Sequence, residues 1–411
     1  MFKRIVILFF FCLTVLLIFA ENPVRRTVYT GGFNREYLLY TPENENYRTP
    51  EGIIVCLHGF SRTMQDFFNE YNFSEIADSL HYIVLAPQAL PEQDKKILAN
   101  AELINIFTSN DISLNSVWAC GLEVRAYLPL GGIDIPILNE ELNKAVNDVD
   151  FIASIIDNTV SEYGLDDRDI FVFGTSMGGY MAYQFALKQG DRLSGLISVA
   201  GSMGLKIKAA EIPVKVPVCD FHSLTDEVVP YSGSHKQSGL LIALAKDKQE
   251  VIDFWVQNNK VGSPVVENVQ YYPSTNGITV EKITYPEPDY EVIHYKMNGS
   301  KHSYFFSKEA GDCMDYKEEA VKFIKSHVSG HQSGIPATQP SAGVFYPNPA
   351  HDKIHFETKT GNLFVYDLTG REVFSKTFRD GQADISFLKS GVYIARVESM
   401  EKTHTSKLIK F

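Results

Sequence analysis

One stretch, Gly174-Thr175-Ser176-Met177-Gly178-Gly179, sets a serine between two glycines. A serine hydroxyl is a weak nucleophile near neutral pH. It needs a base to take its proton and a carboxylate to hold that base in the right tautomer. A Gly-x-Ser-x-Gly elbow is followed in the chain by its acid and then its histidine. The loop Ser223-Leu224-Thr225-Asp226-Glu227-Val228-Val229-Pro230 offers Asp226, with Glu227 as the nearest rival. Asp220 falls inside the preceding apolar run and reads as a structural group. The loop Asn298-Gly299-Ser300-Lys301-His302-Ser303-Tyr304 offers His302. His294 lies mid-strand and reads as a packed core histidine, while His222 and His58 end strands, where they could serve structure. The backbone N–H of Met177, the residue after the nucleophile, is one expected oxyanion donor. Phe60, in the loop Leu57-His58-Gly59-Phe60, is the expected second donor through its backbone. Arg62 could bind an anionic substrate, although a surface arginine is the plainer reading.

These residues need a frame. Asp169-Ile170-Phe171-Val172-Phe173 is a short apolar run fit for a buried strand, and Tyr180 to Leu187 carries apolar residues at helical spacing. The serine therefore sits where a strand turns into a helix. Gly174 and Gly178 leave that turn free of Cβ clashes. Further strands are predicted at 35–40, 52–57, 82–87, 196–202, 216–222 and 292–297. Helices are predicted at about 67–80, 142–163, 246–258 and 318–327. Strands alternating with helices imply an α/β fold with a mostly parallel sheet covered on both faces. Such sheets bind ligands at the carboxyl ends of their strands, and the candidate residues all follow strands. Residues 88–140 break the alternation and carry Phe107, Trp118 and Tyr127. They read as a lid or substrate-binding wall, with Trp118 as a candidate substrate contact.

The net charge of −12 argues against non-specific nucleic-acid binding and against attraction to anionic lipid. Lys3 and Arg4 precede an apolar run from Ile5 to Phe19 that ends at Ala20, the pattern of a secretory signal peptide over residues 1–20. Cys12 lies in the leader, and the other four cysteines, 56, 120, 219 and 313, show no CxxC spacing, so zinc and redox roles have little support. Cys56 and Cys219 are expected to pack as small apolar residues. A Cys120–Cys313 disulfide is open in an oxidising compartment.

Several motifs occur together in order. They are Gly31-Gly32 with Arg35-Glu36-Tyr37, Leu57-His58-Gly59-Phe60, Asn147-Asp148-Val149-Asp150-Phe151-Ile152, the elbow, and Phe221-His222-Ser223-Leu224-Thr225-Asp226-Glu227-Val228-Val229-Pro230-Tyr231. Over most of residues 27–325 the chain resembles the secreted polyhydroxybutyrate depolymerase and feruloyl esterase group of α/β-hydrolases. The resemblance implies an esterase in residues 21–328, with Ser176 as nucleophile, Asp226 as acid, His302 as base, and no metal or organic cofactor. Its substrate would be feruloyl or acetyl esters on polysaccharide, or a polyester such as polyhydroxybutyrate. A peptidase, or a non-catalytic surface binding protein on the same scaffold, are the more distant readings.

Residues 329–343 are rich in Ser, Gly, Pro, Gln and Thr and read as a linker. Short alternating strands follow over 344–411, as expected of a small all-β sandwich. Tyr346-Pro347-Asn348-Pro349, Tyr366-Asp367-Leu368-Thr369-Gly370-Arg371, Leu388-Lys389-Ser390-Gly391-Val392-Tyr393 and Lys407-Leu408-Ile409-Lys410 resemble the C-terminal sorting domain of type IX secretion in Bacteroidetes. That resemblance implies the type IX machinery as a partner and a secreted or cell-surface location. A carbohydrate-binding sandwich is the minor alternative.

Overall fold

The computed structural model describes residues 23–42, 49–99, 113–131, 133–165, 169–206, 214–237, 240–243, 245–302, 306–328, 345–346, 350, 352–356, 358–367, 371–389, 391–399 and 403–410. The leader, the linker and Phe107 lie outside the described residues. The chain divides into two compact units, Met1–Gln332 and Ser333–Phe411.

The strands of the first unit are, in chain order, β1 (Val24–Thr30), β2 (Phe33–Tyr40), β3 (Gly52–Leu57), β4 (Tyr82–Pro87), β5 (Glu123–Leu130), β6 (Ile133–Glu141), β7 (Ile170–Thr175), β8 (Gly195–Val199), β9 (Val218–Ser223), β10 (Ser234–Gln237), β11 (Leu240–Ala243), β12 (Val265–Val269), β13 (Thr279–Tyr285) and β14 (Val292–Asn298). Its helices are α1 (Met64–Glu70), α2 (Phe73–Leu80), α3 (Lys95–Ala99), α4 (Asp148–Tyr163), α5 (Met177–Gln189), α6 (Lys248–Asn259) and α7 (Tyr316–Ser326). Ten strands form one sheet in the order β1-β2-β4-β3-β7-β8-β9-β14-β13-β12. The six from β4 to β14 pair in parallel, and antiparallel pairs finish both edges.

The central strands are buried at every residue, so they read as unbroken apolar runs. The two-residue period of a strand still divides them between faces. Ile53, Val55 and Leu57 join a cluster with Phe151, Ile155 and Tyr180 of α4 and α5, whereas Ile54 and Cys56 join one with Phe67, Phe73 and Phe323 of α1, α2 and α7. This is the α/β-hydrolase arrangement, helices on both faces of a mostly parallel sheet.

Local chemistry moved some boundaries. Helix α4 starts at Asp148 rather than 142. Asn143 takes a φ of 51° and its side-chain amide donates to the Val117 carbonyl at 2.7 Å, which holds it out of the helix. Asn147 then caps the helix, accepting from the Asp150 N–H at 3.1 Å. Residues 88–140 are only partly an outlying loop. Val117, Trp118 and Cys120 are buried in the core beside α4 and α5. Beyond them β5 and β6 form a hairpin that pairs with β11 and β10 in a four-stranded antiparallel sheet. The two excursions leave from the carboxyl ends of β4 and β9, the end of the sheet that carries the elbow.

The possible disulfide is not formed. Cys120 and Cys313 are free and buried in clusters on opposite faces of the sheet. Cys56 and Cys219 pack inside strands, where burial pushes both thiols up.

The second unit contains β15 (Phe345–Tyr346), β16 (Lys353–Phe356), β17 (Gly361–Tyr366), β18 (Glu372–Phe378), β19 (Gln382–Asp384), β20 (Gly391–Glu398) and β21 (Thr403–Lys410). They make a three-stranded sheet, β15-β16-β19, and a four-stranded one, β18-β17-β20-β21. Ile354 and Ala383 from the first meet Leu363, Val365, Ala395 and Leu408 from the second in one core, with Phe356 stacked on Phe378 at 3.9 Å.

A buried ion pair ties β2 to α4. Arg35 Nη2 lies 2.5 Å from Asp148 Oδ1, both side chains are buried, and the guanidinium sits 4.0 Å over the Phe151 ring. Asp148 Oδ2 also accepts from the Ala119 N–H at 2.7 Å, which anchors the segment that carries Trp118. Burial raises the Asp148 carboxyl and Arg35 opposes that rise. Removing one partner strands a buried charge. Arg35→Ala is expected to lose about 3–5 kcal/mol of unfolding free energy in urea titration.

Candidate active site

Ser176 ends the β7-to-α5 turn with φ 50° and ψ −122°, a strained backbone for a residue other than glycine. The turn is tight because the chain passes itself closely. A Cβ on Gly174 would lie 2.0 Å from the Gly178 carbonyl oxygen, and one on Gly178 would lie 1.9 Å from that of Leu57. Only glycine fits either place. The result brings Ser176 beside the loop after β3: its Cβ is 3.5 Å from where a Cβ of Gly59 would be.

The structure brings the three sequence-selected side chains together. His302 Nδ1 lies 2.7 Å from Asp226 Oδ2, and His302 Nε2 lies 3.2 Å from Ser176 Oγ. Asp226 Oδ1 accepts from the Val228 and Val229 N–H groups at 2.8 and 2.7 Å. The carboxylate is therefore held by its own loop, and its second oxygen faces the imidazole. A carboxylate can only accept, so Nδ1 carries the proton and Nε2 is left to accept from the serine hydroxyl. This is the geometry of a hydroxyl ready to lose its proton during attack. Glu227, the rival, is exposed. Asp226 follows β9, one strand removed from β7 and its elbow, and His302 follows β14, next to β9.

The loop after β3 is pinned on both sides of Phe60. The Ser61 N–H donates to the Ser116 carbonyl at 3.0 Å, and the Arg62 N–H donates to that of Gly59 at 3.3 Å. The Phe60 N–H itself has no partner among the described residues. Met177 is the first residue of α5, where helix N–H groups lack intrahelical acceptors. The Met177 amide thus follows the serine directly, and Phe60 lies in the loop that approaches the serine from β3. Arg62 is ion-paired with Glu70.

Trp118 is not a substrate contact. It is completely buried, and its Nε1–H donates to the His58 carbonyl at 2.8 Å. Its indole packs against the His58 ring at 4.8 Å between centroids. It supports the loop that carries Phe60 from beneath. His58 does the same. Its Nδ1 lies 2.8 Å from the Gly59 carbonyl and its Nε2 accepts from the Ala89 N–H at 3.1 Å, so the ring is neutral with the proton on Nδ1. Burial depresses it to about 4, opposed by the Gly59 bond and assisted by Arg62.

A second buried group lies behind the acid. Asp220 Oδ1 accepts from Lys248 Nζ and from the Tyr183 hydroxyl, both at 2.8 Å, and Oδ2 lies 2.9 Å from His294 Nδ1. Burial works against the Asp220 charge, but Lys248 and His294 outweigh it and hold the carboxyl well below its usual range. Tyr231 meets His294 Nε2 at 3.1 Å, which joins the segment after the acid loop to β14. Asp220 and His294 are structural, and nothing in their spacing pointed to Lys248 or Tyr183 as partners. His222 is buried beside Asp226, with Nε2 at 2.8 Å from the Val229 carbonyl. Burial, with Lys248, holds it near 4. Among the described residues no three His, Cys, Asp or Glu side chains could hold a metal ion, and no helix is long and apolar enough to cross a membrane.

Residues 129–259 match the family model described as Phospholipase/Carboxylesterase, and residues 344–411 match the Secretion system C-terminal sorting domain. The protein NocK of Nocardia uniformis subsp. tsuyamanensis is 28% identical over 86 residues, 21% of this chain. The chain spans 25% of the length of that relative. Similar solved structures include an acetyl xylan esterase from Aspergillus awamori, at 13% identity and a TM-score of 0.46, covering 74% of this chain and 99% of that one. Another is an S-formylglutathione hydrolase from Agrobacterium tumefaciens, at 10% identity and a TM-score of 0.41, covering 75% of this chain and 93% of that one. The carboxylesterase match takes in both the elbow and the Asp226 loop and supports carboxylic ester hydrolysis. The sorting-domain match indicates export.

The two depressed histidines make stability depend on pH. The unfolded chain takes up these protons near 6.5 and the folded chain near 4. Between those values the unfolded state binds more protons, so the contribution is complete above about pH 6.5 and is lost as pH falls toward 4. Each histidine contributes at most about 3 kcal/mol. Unfolding free energy measured in urea is expected to drop between pH 7 and pH 4.5, and His58→Asn should flatten that slope.

Proposed function

We propose that the chain is an exported serine esterase that cleaves feruloyl or acetyl esters on polysaccharide. One observation carries this reading: a single imidazole joins Asp226 to Ser176, with its accepting nitrogen 3.2 Å from a serine on a strained strand-to-helix turn. Ser176 Oγ attacks the ester carbonyl carbon while its proton passes to His302 Nε2. The oxyanion that forms accepts from the Phe60 and Met177 amides. The tetrahedral species collapses, the alcohol leaves with the proton from His302, and the acyl group stays on Ser176. Water, deprotonated by the same imidazole, then releases the acid. Asp226 keeps the imidazole in one tautomer throughout and steadies its positive charge.

Export is part of the proposal. Residues 1–20 act as a signal peptide and residues 344–411 hand the protein to type IX secretion, so the esterase meets polymers outside the cell. The sheet β10-β11-β5-β6 is proposed as the wall that selects the acyl group. It is supported by its origin in segments that follow β4 and β9 at the elbow's end of the sheet.

The kinetic test uses the purified chain on methyl ferulate and on p-nitrophenyl acetate. Ser176→Ala is expected to abolish turnover, and Asp226→Asn to lower kcat about 10³–10⁴-fold with KM little changed. Full activity in Ser176→Ala would overturn the assignment. The export test is fractionation of cells lacking residues 344–411. The truncated protein is expected in the periplasm, and its continued appearance outside the cell would remove the role given to the tail.

A further inference from the structure

A cavity of about 640 Å³ opens beside the oxyanion loop and takes in Ser61 and Arg62, the two residues after Phe60. The Arg62 Cγ and the Ser176 Cβ both lie within 4 Å of the point where Gly59 would carry a side chain, so one lining residue neighbours the nucleophile, which does not itself line the cavity. Its volume falls in the range of ligand sites. The floor is rigid. Gln88 Nε2 donates to Ser116 Oγ at 2.8 Å, and Gln88 Oε1 accepts from the Met64 N–H at 2.8 Å. Ser61 Oγ donates to the Ser113 carbonyl.

The lining selects a chemistry. Asn34 and Asn115 are exposed in it, and their amides make no hydrogen bond among the described residues. A carboxamide donates and accepts, as a sugar hydroxyl does. A polyester chain offers acceptors and alkyl surface and would leave the carboxamide oxygens without a donor. The charged groups are already neutralised: Arg25 lies 2.9 Å from Glu36, and Arg62 is paired with Glu70. An anionic chain would have to break those pairs. Leu90 and Pro91 supply an apolar strip for the carbon face of a ring.

We infer that this groove binds the alcohol side of the substrate as an uncharged oligosaccharide, held by the side-chain amides of Asn34 and Asn115. The inference rests on the esterase reading for its place in the reaction. It is tested by binding alone, which keeps the two separable. Isothermal titration of the full chain carrying Ser176→Ala with xylohexaose and with cellohexaose is expected to show saturable binding of at least one. Adding Asn34→Ala and Asn115→Ala should weaken that binding at least about tenfold while the melting temperature stays the same. Absence of saturable binding to both sugars, or binding that the added substitutions leave within twofold, would overturn the inference. Hydrolysis of p-nitrophenyl acetate by the unsubstituted chain is scored separately and bears only on the esterase reading.

Discussion

The site depends on one close approach. The backbone of Gly178 packs so near the Leu57 carbonyl that no side-chain atom fits between them. That contact fixes the start of α5 against the end of β3. It therefore sets the distance between the serine and the loop that carries Phe60, two parts of the chain separated by more than a hundred residues. The strain at Ser176 persists because the neighbouring turns leave no other path. The parallel pairing of β3 with β7, Leu57 opposite Gly174, holds the two strand ends level so that the approach occurs at this height and no other.

Around this contact lies a layer of buried and half-buried polar groups bonded to one another, with Arg35 Nε left without a partner among the described residues. His58, Trp118 and Gln88 hold the loop after β3, and Asp148 with Arg35 holds the segment under it. A buried polar group without a partner is costly, so each bond here also excludes alternative positions of the loop. Asp226 is held the same way, by two amides of its own turn, before the imidazole adds a third bond.

Much of this was legible in the sequence for a topological reason. In a parallel sheet every strand ends on the same side, so the loops after β7, β9 and β14, which lie within four consecutive strands, emerge together. Picking Asp226 and His302 needed the order that follows such an elbow, acid and then histidine, together with the apolar runs before them. The misreading of Trp118 has an equally physical cause. A tryptophan in an aperiodic stretch reads as exposed, and its acceptor, the His58 carbonyl, is sixty residues away in the chain. Spacing carries no information about such a bond. The same holds for Arg35 and Asp148, and for β10 and β11, each four residues long and too short to show a period.

The four-stranded antiparallel sheet has a consequence for how the protein assembles. The backbone of Tyr127 pairs in register with Leu241 and that of Ala126 with Ile242, residues more than a hundred apart in the chain. Between them in the chain come β7, β8 and β9, the middle of the main sheet. The pairing of β3 with β7 closes a loop just as long, so the elbow and the sheet before it both depend on contacts remote in the chain. Loop-closure entropy opposes such contacts until they form, which makes a fold built on them slow to assemble. The nucleophile and the surface around it are therefore set together by long-range pairing, and no local stretch of the chain can shape either one alone.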